Sequence, residues 1–120
     1  MDVWVESGGV KPGCAKPDPR FGKAGADGWP TVSVKDVLAN PHAAIKRGTC
    51  PNTLAGVKAW LKKKDAAKFN FVVRSCMVVG KKHPGKPLRI TCAYGKHRSA
   101  AIAEEVAKKL GRIVAHRDRA

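Results

Sequence analysis

Acid is what this chain is short of. Nine Asp and Glu stand against 24 Lys and Arg, which leaves a formal charge of +15. An excess of that size goes beyond what solubility needs and points to polyanionic partners such as nucleic acid, nucleotides or phosphorylated metabolites. The plainer alternative is a basic surface with no specific partner. Cysteine is sparse too. Cys14, Cys50, Cys76 and Cys92 lie far apart with no Cys-x-x-Cys pair, and only His97 falls a few residues from any of them. That spacing argues against a zinc site, and no other metal or cofactor motif stands out. No apolar run approaches the ~20 residues that span a bilayer, so no membrane partner is expected. The start, Met-Asp-Val-Trp-Val-Glu, has no basic region followed by an apolar one, and with free thiols this implies a reducing cytoplasm. A Walker loop, a Gly-x-Gly-x-x-Gly, internal repeats and low-complexity tracts are all missing.

A length of 120 residues suits one domain with a real core. Val3-Trp4-Val5 reads as a first strand that leaves at Ser7-Gly8-Gly9 into a long Gly/Pro-rich connection over residues 10–30, of the kind that is usually functional. Thr31 to Val34 reads as a second strand, and Asn40-Pro41-His42 as a turn. Pro51-Asn52-Thr53 supplies a cap for a helix that carries Leu54, Val57, Trp60 and Leu61 on one face and is followed by Lys62-Lys63-Lys64. The spacing of Phe69, Val72, Val73, Cys76 and Met77 predicts a second helix over Ala66 to Val79. A basic loop over 80–85 then leads to an apolar strand, Leu88 to Cys92. A loop with Gly95, Lys96, His97 and Arg98 follows, then a helix with Ser99 as N-cap and Gly111 at its end. Ala100, Ala103, Val106, Ala107 and Leu110 share one face of that helix. Ile113 to Ala115 reads as a last strand. Strands alternating with helices predict an α/β fold: a small, mostly parallel sheet of about four strands flanked by helices, in a single domain over residues 1–120.

The loop over 92–99 carries the chemistry. Unpaired N–H groups at a helix start, the positive end of the helix dipole and three basic side chains make an anion site, with phosphate the natural occupant. Ligands in such sheets sit at the carboxyl ends of the strands, which places the loop where a ligand belongs and adds His116 and Arg117 on the same edge. Tyr94, the loop's one aromatic, could stack on a base or a sugar ring. Cys92 and Arg98 also form a Cys-x5-Arg pattern, in which a thiolate attacks phosphorus, the Arg forks onto phosphate oxygens and an acid (Asp18, Asp27 or Asp36) protonates the leaving group. The competing reading of Cys92 is a small packed residue at a strand end. Lys62 to Lys64, Lys81, Lys82, Arg89 and Arg112 are either solvated faces or a nucleic-acid footprint.

At these residues the chain resembles the C-terminal domain of the RNase adapter protein RapZ, whose loop reads approximately Gly-Cys-Thr-Gly-Gly-x-His-Arg-Ser. The matching stretch is Thr91-Cys-Ala-Tyr-Gly-Lys-His-Arg-Ser99, with Ala103-Glu104 downstream. Ser7-Gly-Gly-Val-Lys-Pro-Gly13, Val32-Ser-Val-Lys with Asn40-Pro-His42, and Val114-Ala-His-Arg-Asp118 are similar to three further family motifs, in the same order over nearly the whole chain. The resemblance implies a non-enzymatic domain that senses a sugar phosphate, glucosamine-6-phosphate in the family, and that takes part in RNA and protein contacts. Carried over residue by residue, it implies a phosphate site lined by Gly95, Lys96, His97 and Arg98, with His42 opposite; Tyr94, Ser99, Lys11, His116 and Arg117 complete the candidate ligand site. Ala93, Tyr94 and Ser33 depart from the family's Thr, Gly and Asp, and its kinase-like N-terminal domain has no counterpart in these residues. A freestanding basic copy points to a bacterium or a phage. The partners expected are a phosphorylated small molecule, RNA as a second class, and a further copy of the chain.

Overall fold

A computed structural model describes residues 3–11, 14 and 29–119. Its sheet has four strands in the order β2-β3-β1-β4: β1 (Trp4–Gly9), β2 (Thr31–Ser33), β3 (Leu88–Cys92) and β4 (Ile113–His116). Every pairing is parallel, with Val5 opposite Leu88 and Val114, and Val32 opposite Ile90. The carboxyl ends Gly9, Ser33, Cys92 and His116 therefore lie along one edge. Helices α1 (His42–Lys46), α2 (Leu54–Lys64) and α3 (Ala66–Lys82) join β2 to β3, and α4 (Arg98–Leu110) joins β3 to β4. The α/β class and the parallel sheet are as the alternation of patterns predicts.

One face of the sheet forms the core. Val5, Leu88 and Ile90 pack there with Val57, Leu61, Phe69, Val73, Cys76 and Ile102, all buried. Each such side chain contributes roughly 1.5–3 kcal/mol by leaving water. α4 is the central helix and contacts β1, β3, β4, α2 and α3. Ala100, Ala101, Ala103 and Ala107 line it with small side chains, so it lies close to the sheet and to both neighbouring helices. On the opposite face the alternate residues are polar. Glu6 pairs with Arg89 at 3.4 Å and with Arg117 at 3.1 Å, and Glu6 and Arg89 are almost completely buried. The Arg89 guanidinium lies 5.0 Å from the Trp29 ring centre, and Trp29 meets Trp4 edge to face.

Several boundaries move. The first strand does not end at Ser7-Gly8-Gly9 but continues through it, because those peptides pair with Ile90, Thr91 and Cys92. Glycine is needed at position 9, where a Cβ would lie 2.5 Å from the Tyr94 carbonyl carbon. His42 is not in a turn but opens α1, where Asn40 Oδ1 accepts the His42 N–H at 3.1 Å. Ser99 is not the N-cap of α4. His97 holds that position without a side-chain hydrogen bond, and Ser99 is buried inside the first turn. Thr53 caps α2 as expected, and Gly111 ends α4 in the left-handed conformation. Asp65 serves two helices, closing α2 and accepting the Lys68 N–H at the start of α3. Of the long connection over 10–30, residues 12, 13 and 15–28 lie outside the described residues. Among the described residues no helix is long and apolar enough to cross a membrane.

Candidate functional site

The loop between β3 and α4 is built on glycine and on buried polar contacts. Gly95 has φ +72, and a Cβ there would lie 2.4 Å from the Gly9 nitrogen and 2.5 Å from the Gly8 carbonyl carbon. Both its conformation and its close approach to β1 therefore demand glycine. Cys92, 3% exposed, accepts the Gly95 N–H at 3.3 Å and donates its S–H to Ser99 Oγ at 3.2 Å. Ser99 Oγ in turn lies 3.4 Å from the Gly8 carbonyl and donates to it. This relay fastens loop, helix and β1 together.

Past Gly95 the chain turns into α4. Among the described residues no acceptor meets the main-chain N–H groups of Lys96 to Ala100. Such groups carry the positive end of a helix dipole. The Lys96 side chain is exposed, and His97 is partly buried. Burial holds the His97 pKa below its ordinary value, with Arg119, His42, Lys96 and Arg98 adding to the effect. His97 is therefore neutral at pH 7, a hydrogen-bonding imidazole rather than a fourth cation.

Arg98 does more than offer a charge. Its Nη1 donates to the carbonyls of Lys35 and Leu38, which braces the turn after β2 against the start of α4. That turn leads to Asn40 and His42, which face the loop. Asn40, His42, Cys92, Tyr94, Lys96, His97 and Arg98 together line a cavity of about 400 Å³. A second, shallower hollow shares Lys96 and His97 and adds Asn52, Asp118 and Arg119. Arg119 spans it, donating to the carbonyls of Lys96 and Asn52.

Of the expected site residues, Tyr94, Lys96, His97, Arg98 and His42 come together on the cavity wall. Gly95 shapes the loop, and Ser99 sits behind it. Lys11, His116 and Arg117 do not line this cavity. Lys11 is exposed, and its N–H bonds to the Ala93 carbonyl. His116 lies on the expected edge, yet its ring is held between Ser7 Oγ at 2.6 Å and Glu104 at 2.7 Å. Arg117 turns to the other sheet face and meets Glu6. Arg89 is too buried to belong to a surface footprint, and Arg112 Nη2 donates to the Gly80 carbonyl. For the Cys-x5-Arg reading, Asp36 is exposed in the turn after β2, while Asp18 and Asp27 lie outside the described residues. Asn40 and Arg119 are site residues that the pattern did not single out. Asn40 could have been found as a turn residue whose side chain accepts the N–H two residues on, that of His42, whereas nothing in the spacing brings Arg119 to Lys96.

No family model matches the chain, and no curated protein matches it. The cavity's own chemistry therefore has to carry the assignment. An exposed ammonium (Lys96), a braced guanidinium (Arg98) and the imidazoles of His42 and His97 share the wall of one cavity. Such a set has the chemistry to suit a compact anion. Among the described residues no cluster of His, Cys, Asp and Glu is suited to holding a metal ion.

Proposed function

We propose that the protein is a non-enzymatic binding domain of the RapZ C-terminal type, which captures a phosphorylated small molecule in the cytoplasm as a sensor or a sequestering protein. The observation that carries this reading is that Lys96, His97 and Arg98, at the start of α4, share with His42 the wall of one cavity at the carboxyl edge of a parallel sheet.

Calorimetric titration with inorganic phosphate and with phosphate monoesters tests the proposal. Saturable binding is expected, weakened about 10- to 100-fold in Lys96→Ala, in line with a hydrogen bond to a charged group. Lys96 is preferred to Arg98 as the test because its ammonium is exposed and braces no carbonyl. Absence of saturable binding, or equal binding by Lys96→Ala, rejects the assignment. A second reading, RNA binding, is favoured by one observation: Lys62, Lys63, Lys64 and Lys68 are all exposed where α2 meets α3. It requires log affinity to fall by about 0.7 per log unit of salt for each phosphate contacted on a single strand. RNA retention insensitive to salt excludes it.

A further inference from the structure

The cavity is larger than a phosphate needs. At about 400 Å³ it falls in the range of sites that enclose a whole small molecule. A water molecule takes up only about 30 Å³ of the liquid, so inorganic phosphate would leave most of the space unfilled. What else lines it bears on the remainder of the ligand. Among the described residues no carboxylate is on the wall; Asp118 belongs to the neighbouring hollow. The wall instead offers neutral groups suited to a heterocycle edge. Asn40 spends its Oδ1 on the His42 N–H and keeps its amide NH2 as a donor. The His97 ring can give or take a hydrogen bond.

Tyr94 is the distinctive element. It lies on the cavity wall yet remains 57% exposed. Among the described residues its ring meets no other aromatic and no cation, unlike Trp4, Trp29, Trp60 and Phe69, which all have such a partner. Its backbone is fixed, since the Tyr94 main chain packs against Gly9 and its carbonyl accepts the Cys14 thiol at 3.6 Å. A ring anchored at its base, open on its face and standing beside an anion site is a platform for a planar group.

Resting on the phosphate-binding reading above, we propose that the ligand is a nucleotide, its phosphate on the Lys96–Arg98 loop and its base stacked on Tyr94. The same chemistry is presented by a free nucleoside monophosphate and by the phosphorylated 5′ end of a short strand. The test compares inorganic phosphate, ribose 5-phosphate, the nucleoside 5′-monophosphates and a 5′-phosphorylated trinucleotide on the intact protein. Base stacking is expected to make a monophosphate or the trinucleotide bind roughly 5- to 140-fold tighter than ribose 5-phosphate. Tyr94→Ala should erase that advantage, while Tyr94→Phe should restore it. If only the trinucleotide shows the Tyr94-dependent gain, stacking stands and the source is a strand end. If ribose 5-phosphate binds as tightly as every nucleotide, or Tyr94→Ala weakens all ligands alike, the nucleotide assignment falls while phosphate binding survives. If no phosphorylated probe binds, both fall.

Discussion

The site depends on single atoms at two positions. Gly95 and Gly48 both have positive φ, +72 and +78, but their surroundings differ. A Cβ at Gly48 meets nothing within 4 Å, whereas at Gly95 it would run into the backbone of Gly8 and Gly9. Gly48→Ala should therefore cost only the left-handed penalty of about 1–2 kcal/mol. Gly95→Ala should cost more than that, since backbone cannot give way as a flexible side chain can, and it should abolish anion binding. Urea denaturation of both variants checks this, and equal losses would contradict the close approach. His97 supplies the second residue-level expectation. Its pKa is lower in the folded protein than the ordinary value of 6.5, so on acidification the unfolded chain takes up its proton first. Its contribution to stability is complete above that value and is lost as pH falls through the depressed folded pKa. Between roughly pH 7.5 and 5.5, His97→Gln should lose less stability than the parent protein. Bound phosphate should reduce the parent's loss, because an anion beside the ring offsets the desolvation and the neighbouring cations. Identical pH profiles for variant and parent would refute it.

At the level of elements, legibility followed the strength of the local signal. α2 and α3 were plain because Thr53 is a good cap, and because apolar residues recur at helical spacing through Leu54–Leu61 and Phe69–Met77. β3 was plain as an apolar run with both faces covered. The end of β1 was not, since Ser7-Gly8-Gly9 has turn composition and is kept extended only by pairing with β3, a contact some eighty residues away. Short α1 is not legible because Asn40, whose side chain accepts the His42 N–H, precedes a proline and reads as a turn. The capping role expected of Ser99 gave way to a tertiary one: its hydroxyl takes the Cys92 thiol and the Gly8 carbonyl, and no propensity encodes that exchange. The anion loop itself was legible because its residues are contiguous. What lies opposite was only half legible. His42 was reached through resemblance, and Arg119 could not be reached at all, because its partners Lys96 and Asn52 adjoin it only through the fold.

For the molecule as a whole, the excess of positive charge makes the few buried carboxylates matter. Glu6 lies at the middle of the sheet's polar face and is completely buried between Arg89 of β3 and Arg117 just past β4. It thus ties β1 to β3 and to the chain just past β4. Arg117 also donates its N–H to the Ser7 carbonyl, and the next residue, Asp118, accepts the Gly9 N–H at 2.8 Å. The ion cluster on one face and the anion loop at the edge are therefore mechanically continuous. Among the described residues Glu6 is the carboxylate that both guanidiniums share, and removing it takes that compensation out of a low-dielectric space, in a protein already at +15. Glu6→Gln keeps the side chain's shape and deletes just that charge. It should lower stability by about 3–5 kcal/mol, a large share of what a domain of this size possesses. Added salt should recover little of the loss, because buried charges are screened far less than exposed ones. Denaturant titration at low and high ionic strength measures both effects. A loss below about 1 kcal/mol, the range of an exposed pair, would mean that water reaches the cluster and that the polar face does not hold the strand ends in register.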